Sequence, residues 1–441
     1  MSEIAVGQHF PIRKTILAGL IGNAIEFYDF IIYAYLAAYF AIHFFPSNDP
    51  TAAIILSYGA FATGMVMRPI GGLLLGSIGD RLGRRLALQL TVTLIAVPTL
   101  LIGLLPTYQA IGLWAPILLI LLRMIQGLAV GGEYSSSIVF MIERSPPNQR
   151  GLIGSFSPMG AFLGLLLGTA VCFICLLILG KDTMIEWGWR VPFLFSLVLS
   201  FYGVWLRKSI SHEPSKTFRK SDQSPIRQVL RFHMREVLAI AFANTATGIV
   251  SFIGFMYIVP WAVKEAGISP NLALGINLFN LFMVALFCVW GGHLGDRFGR
   301  VRIARLGALI LLLGAWPAFA LVKTGGDIQL LIGGVILAMG QGFFVGPLCA
   351  AMACLLPANV RVTGIGLGYS FSVGVFGGCA PMLTEFLLDR YSLVMAPAVV
   401  IVGGALVSFA ALSSSVWKGA GDLLPEERLS FKDHDDRLPS L

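Results

Sequence analysis

Apolar runs of about 20 residues, each long enough to cross the hydrocarbon core of a bilayer, recur along nearly the whole chain. Of the 441 residues, 56% are hydrophobic and only 12% are charged. That balance excludes an ordinary soluble domain. With no water to satisfy the backbone inside a bilayer, such runs are expected as helices. The expected fold class is therefore an all-α membrane protein with twelve spans, at roughly 15–42, 52–75, 86–106, 113–142, 151–179, 190–207, 236–262, 271–293, 303–323, 328–356, 361–388 and 393–416. The first run is too long and too acidic for a cleaved signal peptide, and no small-residue cleavage site follows it, so it is expected to stay in the membrane.

The net charge of +8 is distributed by side. Arg13, Lys14, Arg81, Arg84, Arg85, Arg144, Arg150, the stretch Arg207 to Arg235, Arg297, Arg300, Arg302 and Arg361 fall in alternate loops. The opposite loops carry only Lys181, Lys264, Lys323 and Arg390. The basic side is expected to be cytoplasmic, and an even span count places both termini there. No clustered basic patch on a soluble face points to nucleic acid. The six cysteines lie in apolar segments without flanking His or acid, which reads as small core hydrophobes rather than a metal site.

The chain repeats. Gly76-Ser-Ile-Gly-Asp80-Arg81-Leu-Gly83-Arg84 returns as Gly292-His-Leu-Gly-Asp296-Arg297-Phe-Gly299-Arg300, offset by 216 residues, and Gln126-Gly127 returns as Gln341-Gly342, offset by 215. Coincident offsets argue for duplication. The expected organisation is a six-helix bundle over 1–207, a polar cytoplasmic linker over 208–235, a second bundle over 236–416 and a loosely ordered charged tail over 417–441.

Charge inside a span is costly and marks candidate function. Span one carries Glu26 and Asp29, three apart and so on one helical face, extended by Asn23 and Tyr33. Span four carries a second stripe: Arg123, Gln126, Glu133, Tyr134 and Ser137. At about 1.5 Å per residue, Asp29 and Arg123 reach a similar depth and are expected to pair. Glu26 and Glu133 both fall near mid-depth and are expected to face each other across a cavity, where two carboxylates rarely ionise together. The alternative for Glu133 is a hydrogen bond between helices. The second half offers Asn244, Tyr257, Trp261, Asn280 and Gln341 as substrate-contacting candidates. The loop residues Asp80, Arg81, Arg84, Asp296, Arg297 and Arg300 are expected to gate, because an acid among arginines can pair with a neighbouring helix terminus.

The duplicated G-x-x-x-D-R-x-G-R pattern in a twelve-span chain resembles the major facilitator superfamily over essentially its whole length. Gly22-Asn23-x-x-Glu26-Phe27-Tyr28-Asp29-Phe30, Met67-Arg68-Pro69-Ile70-Gly71-Gly72, Gln126-Gly127-x-x-x-Gly131-Gly132-Glu133-Tyr134 and Glu186-Trp187-Gly188-Trp189-Arg190-x-Pro192-Phe193 resemble its metabolite–proton symporter branch. That branch carries proline and betaine, α-ketoglutarate, citrate and shikimate, typically across bacterial inner membranes. No heptads follow the last span, unlike the long C-terminal coiled coil of some osmosensing members.

The resemblance implies two bundles rocking about a central site without a cofactor. Tyr28-Asp29 and Arg123 match positions that couple in sugar–proton symporters of the superfamily. It follows that Asp29 is expected to carry the proton while Arg123 swings between it and an anionic substrate group. The partners implied are a small carboxylate-bearing molecule, protons and lipid, with the monomer as the working unit. No GxxxxGK[ST] loop occurs, so ATP drive within the chain is excluded, and no nucleophile–base constellation suggests an enzyme. An exporter or a non-transporting receptor are the competing classes.

Overall fold

The computed structural model describes residues 12–46, 50–209, 224–419, 423–425 and 427. Twelve principal helices follow in chain order: α1 Ile12–Phe44, α2 Pro50–Leu82, α3 Arg84–Leu104, α4 Trp114–Glu143, α5 Phe156–Thr183, α6 Arg190–Ser209, α7 Met234–Ala266, α8 Pro270–Phe298, α9 Arg300–Lys323, α10 Asp327–Ala353, α11 Arg361–Tyr391 and α12 Ala396–Ser413. Among the described residues eleven helical stretches are long and apolar enough to span a membrane, and α6 contributes a shorter apolar stretch, Arg190–Tyr202. The expected spans lie within these helices to within a few residues. Half of the expected linker, residues 210–223, lies outside the described residues. Its end, Pro225–Phe232, is a short helix begun by a proline at its first position, where a missing N–H costs nothing.

Small residues fix which helices touch. A β-carbon built on Gly131 of α4 would stand 2.0 Å from the Arg68 carbonyl of α2, and one on Gly127 would stand 2.0 Å from the Gly64 carbonyl. Gly160 and Gly164 of α5 press nearly as closely on Leu20 and Ala24 of α1. The repeat reproduces the α2–α4 seam as α8–α10, where Gly342 and Gly346 meet Phe287 and Cys288. Without a hydrophobic drive between helices in lipid, this close backbone approach is what selects the pairs.

Two glycines serve a different purpose. Gly83 and Gly299 hold φ of 105° and 97° at the sharp breaks between α2 and α3 and between α8 and α9. An L side chain there would be strained. The duplicated motif therefore keeps glycine where the chain must reverse.

The second bundle is less regular. α7 breaks at Asn244 and contains a π-helical turn, Ile253–Tyr257, and α11 contains another, Ser372–Gly377. The two irregular helices meet face to face, with Gly248 and Gly377 in backbone contact. π-Turns loosen the hydrogen-bond ladder and are frequent at functional positions.

Of the tail expected to be loosely ordered, the described part docks. Leu424 is buried, and Glu427 receives Nη1 and Nη2 of Arg150 at 2.8 and 2.5 Å. The remainder of that expectation lies outside the described residues. Hydrogen bonding to Arg150 holds the Glu427 carboxyl below the usual glutamate range.

Two outcomes are expected. Gly131→Val should force α2 and α4 apart and lower stability by about 1–3 kcal/mol, seen as a lower melting temperature in detergent. Gly403→Ala, where nothing lies within 4 Å, is the control and should change little. The clasp of Glu427 persists above the unfolded glutamate pKa and is lost as pH falls through its depressed folded value. Protection of the tail from protease should thus be flat from about pH 5 to 8, and Glu427→Gln should expose the tail across that whole range.

Candidate functional site

α1 to α4 bring four charged side chains into the first bundle. Glu26 and Asp29 on α1, Arg68 on α2 and Arg123 on α4 are each 3% exposed or less. With Phe30, Gly64, Met65, Ile95, Gln126, Gly127 and Val130 they line one small cavity. Its volume of about 20 Å³ has room for roughly one water.

The expected pairing of Asp29 with Arg123 takes an indirect form. No ion pair within 4.0 Å joins them among the described residues. A relay does. Thr99 of α3 donates to Asp29 Oδ2 at 2.6 Å, Gln126 Nε2 donates to Thr99 Oγ1 at 2.6 Å, and Arg123 Nη1 donates to Gln126 Oε1 at 2.9 Å. The Thr99 hydroxyl also lies 2.8 Å from the Ile95 carbonyl. It has one proton and so serves one acceptor at a time. Arg123 rests its guanidinium over the rings of Tyr33 (4.2 Å) and Phe61 (5.2 Å), which stabilises the cation without a carboxylate. Tyr33 in turn donates to the Ser57 carbonyl of α2.

Glu26 pairs instead with Arg68, Nη2 to Oε1 at 3.7 Å. The expectation that Glu26 faces Glu133 is corrected here. Glu133 is absent from the cavity lining, and its carboxylate accepts a short hydrogen bond from Thr91 of α3. Gly131 and Gly132 press α4 so closely on Arg68 and Leu75 of α2 that the next side chain, Glu133, meets α3.

Other expected residues serve helix junctions. Asn23 Nδ2 bonds the hydroxyls of Ser137 on α4 and Ser157 on α5 at 2.9 and 2.7 Å, tying three helices together. Tyr134 stacks on Tyr369 of α11 at 4.2 Å and meets Cys349 of α10, which links the two halves. Asn244 bonds Ile240 and Met352 at the break in α7. Trp261 donates to Val394 and packs on Phe319. Asn280 lies against Gly334 of α10. Gln341 Nε2 donates to α7 at Thr247 and Ser251. Tyr257 bonds Glu385 at 2.7 Å near the face opposite the basic loops. None of these lines the charged cavity, whose walls come from α1–α4.

At the basic face the repeated motifs cross between halves. Asp80 of α2 accepts from the backbone N–H of Val362 and Thr363 at 3.2 and 2.9 Å, and from the Thr363 hydroxyl, at the start of α11. Asp296 of α8 accepts from Gly151 and Leu152, both at 2.8 Å, at the start of the short helix Arg150–Gly154 that leads into α5. Each carboxylate thus caps a helix N-terminus of the other half, where unsatisfied N–H groups and the helix dipole favour an anion. Arg84 braces Asp80 and reaches the Ala358 carbonyl, and Glu143 joins Arg84 and Arg361 at 3.1 and 2.9 Å. Arg300 braces Asp296 and reaches Pro147 at 2.6 Å. Arg81 and Arg297 are exposed, outside these clamps.

Sequence reasoning missed Arg68, Thr99, Thr91 and Glu143 as parts of these networks. Arg68 had a signal, since it is a lone charge deep in an apolar run. The threonines had none, because a threonine in a span reads as an ordinary packing residue.

Known proteins share this plan. Residues 15–372 match the Major Facilitator Superfamily. A proline/betaine transporter of Salmonella typhimurium is 30% identical over 413 residues, covering 90% of this chain and 82% of that protein. An ectoine/proline transporter of Corynebacterium glutamicum is 32% identical over 419 residues, covering 91% and 83%. Among solved structures, the proton:xylose symporter XylE bound to 6-bromo-6-deoxy-D-glucose superposes with a TM-score of 0.74 at 17% identity, covering 95% of this chain and 98% of that one. The inward-open conformation of XylE from E. coli gives 0.63 at 19% identity, covering 90% and 95%. With the family match over residues 15–372 and a relative 32% identical over most of both chains, the chain is a multi-pass membrane protein belonging to the major facilitator superfamily.

Proposed function

We propose that the protein is a proton-coupled symporter that imports a small carboxylate-bearing molecule by alternating access. The observation that carries this reading is the Asp29–Thr99–Gln126–Arg123 relay, a buried acid linked to a buried base through two groups able to switch partners. When Asp29 gains a proton it no longer needs the Thr99 proton, and Thr99 turns to Ile95. The chain from Arg123 through Gln126 and Thr99 then no longer ends on an anion. The coupling runs through hydrogen bonds rather than a swinging arginine. The proline, betaine and ectoine carried by the relatives favour a zwitterion over a di- or tricarboxylate.

In this reading the bundles are residues 1–207 and 236–416, joined by the 208–235 linker. The basic face is cytoplasmic with both termini on it, in a cell's inner membrane, and one chain suffices for transport. The Asp80 and Asp296 clamps hold the cytoplasmic side shut and are released when the cavity loses its load to the cell interior.

Asp29→Asn should reduce pH-driven accumulation in proteoliposomes to the level without a gradient while sparing counterflow exchange of the same substrate. Accumulation equal to the unmodified protein would sink the proton-carrier role. Proton-driven efflux in place of uptake would instead select an exporter. Asp80→Asn should weaken one clamp by roughly 0.5–2 kcal/mol, a shift of about 2- to 30-fold towards the inward-open population. In a chain retaining only Cys349, that shift should raise its labelling rate by an impermeant thiol reagent from the basic side. An unchanged rate would assign the motif to topology alone.

A further inference from the structure

The two arginines of the cavity are not in the same condition. Arg123 is engaged, with Nη1 on Gln126 and its flat face over two aromatic rings. Arg68 is equally buried, yet its Nε and Nη2 find no hydrogen-bond acceptor among the described residues. Its nearest carboxylate, Glu26, stands 3.7 Å from Nη2, close enough to attract but too far for a hydrogen bond. Unmade donors on a buried cation are costly, more so than on neutral groups. Nε and Nη2 are also the two nitrogens that form one side-on fork, the geometry that matches both oxygens of a carboxylate.

The position of Arg68 adds to this. It lies on α2 between Met65, over which Gly374 and Gly378 of α11 are packed, and Gly72, against which Gly366 of α11 is packed. Arg68 therefore sits on the stretch of α2 that packs against α11, on the helix whose far end carries Asp80.

We propose that Arg68 is the residue that anchors the substrate's carboxylate, and that Glu26 is the counter-ion it exchanges for the substrate. This deepens the symport reading and rests on it. An entering carboxylate takes both fork donors, and Glu26 is released to face the remainder of the substrate. The phosphate or sulfate alternative fails on charge, because Glu26 and Asp29 line the same cavity and repel a dianion. Since the cavity is closed to about one water here, α11 must withdraw from Met65 to admit substrate. Its glycine face makes that movement inexpensive.

The test is equilibrium binding of labelled proline, glycine betaine, citrate, α-ketoglutarate and shikimate to the purified full chain, without any proton gradient. Wild type should bind at least one of these. Arg68→Gln should weaken its binding at least about 30-fold, and Arg68→Lys should recover only part of it, since an ammonium lacks the fork. The deciding variant is the double change Glu26→Gln with Arg68→Gln. If the pair were only a helix lock, removing both charges would restore folding and binding together. Under the proposal the double variant melts like wild type and still fails to bind. A double variant binding as wild type does, or a wild type binding none of the five, overturns the anchor. Binding that depends on Arg68 in a protein showing no proton-driven uptake would leave the anchor standing and overturn the symport reading alone.

Discussion

A bilayer core offers no hydrogen bonds, and most of this structure is an answer to that constraint. It makes every long element a helix, and it requires each helix end and each buried charge to find its partner within the protein. The exposed N–H groups at the start of α11 and of the Arg150–Gly154 helix are met by Asp80 and Asp296 from the opposite half. Those two caps join the bundles at the basic face. Because a cap is a small set of directional bonds, it can be made and broken as a unit, whereas an extended apolar interface would resist separation.

Within the first bundle the same constraint yields two unequal solutions for a buried cation. Arg123 is held by aromatic faces and an amide, and it communicates with Asp29 through Thr99. Arg68 is left with a distant counter-ion and open donors. The first arrangement suits a relay that reports protonation. The second suits a site that awaits an anion. Both line one small cavity.

The duplication shapes the scaffold but not the chemistry. At the repeat offset, Gln126 and Gly127 return as Gln341 and Gly342 and the glycine seams repeat, yet Arg123 corresponds to Ala338 and Arg68 to Val284. The second bundle is thus neutral at the matching depth. It contributes instead the irregular helices α7 and α11, whose π-turns and glycine faces lie against the charged half. One half holds the charges and the other packs irregular helices against it.

Sequence alone determined the class, the spans and the duplicated loop motif, because these follow from local pattern. Twenty apolar residues make a span wherever they occur, and a repeated Asp-Arg-x-Gly-Arg needs glycine at a positive φ in both copies. It also singled out Glu26, Asp29 and Arg123, since charge in an apolar run is conspicuous. Tertiary structure alone decided who partners whom. Glu133 turns to Thr91 rather than Glu26 because Gly131 and Gly132 set the depth at which α4 meets α2. Asp29 is hydrogen-bonded to Arg123 through Thr99 of α3 and Gln126 of α4, a route set by how three helices pack. Pairing inside a membrane depends on the rotation of each helix about its axis, fixed by packing among several helices at once, and no single stretch of sequence carries that information.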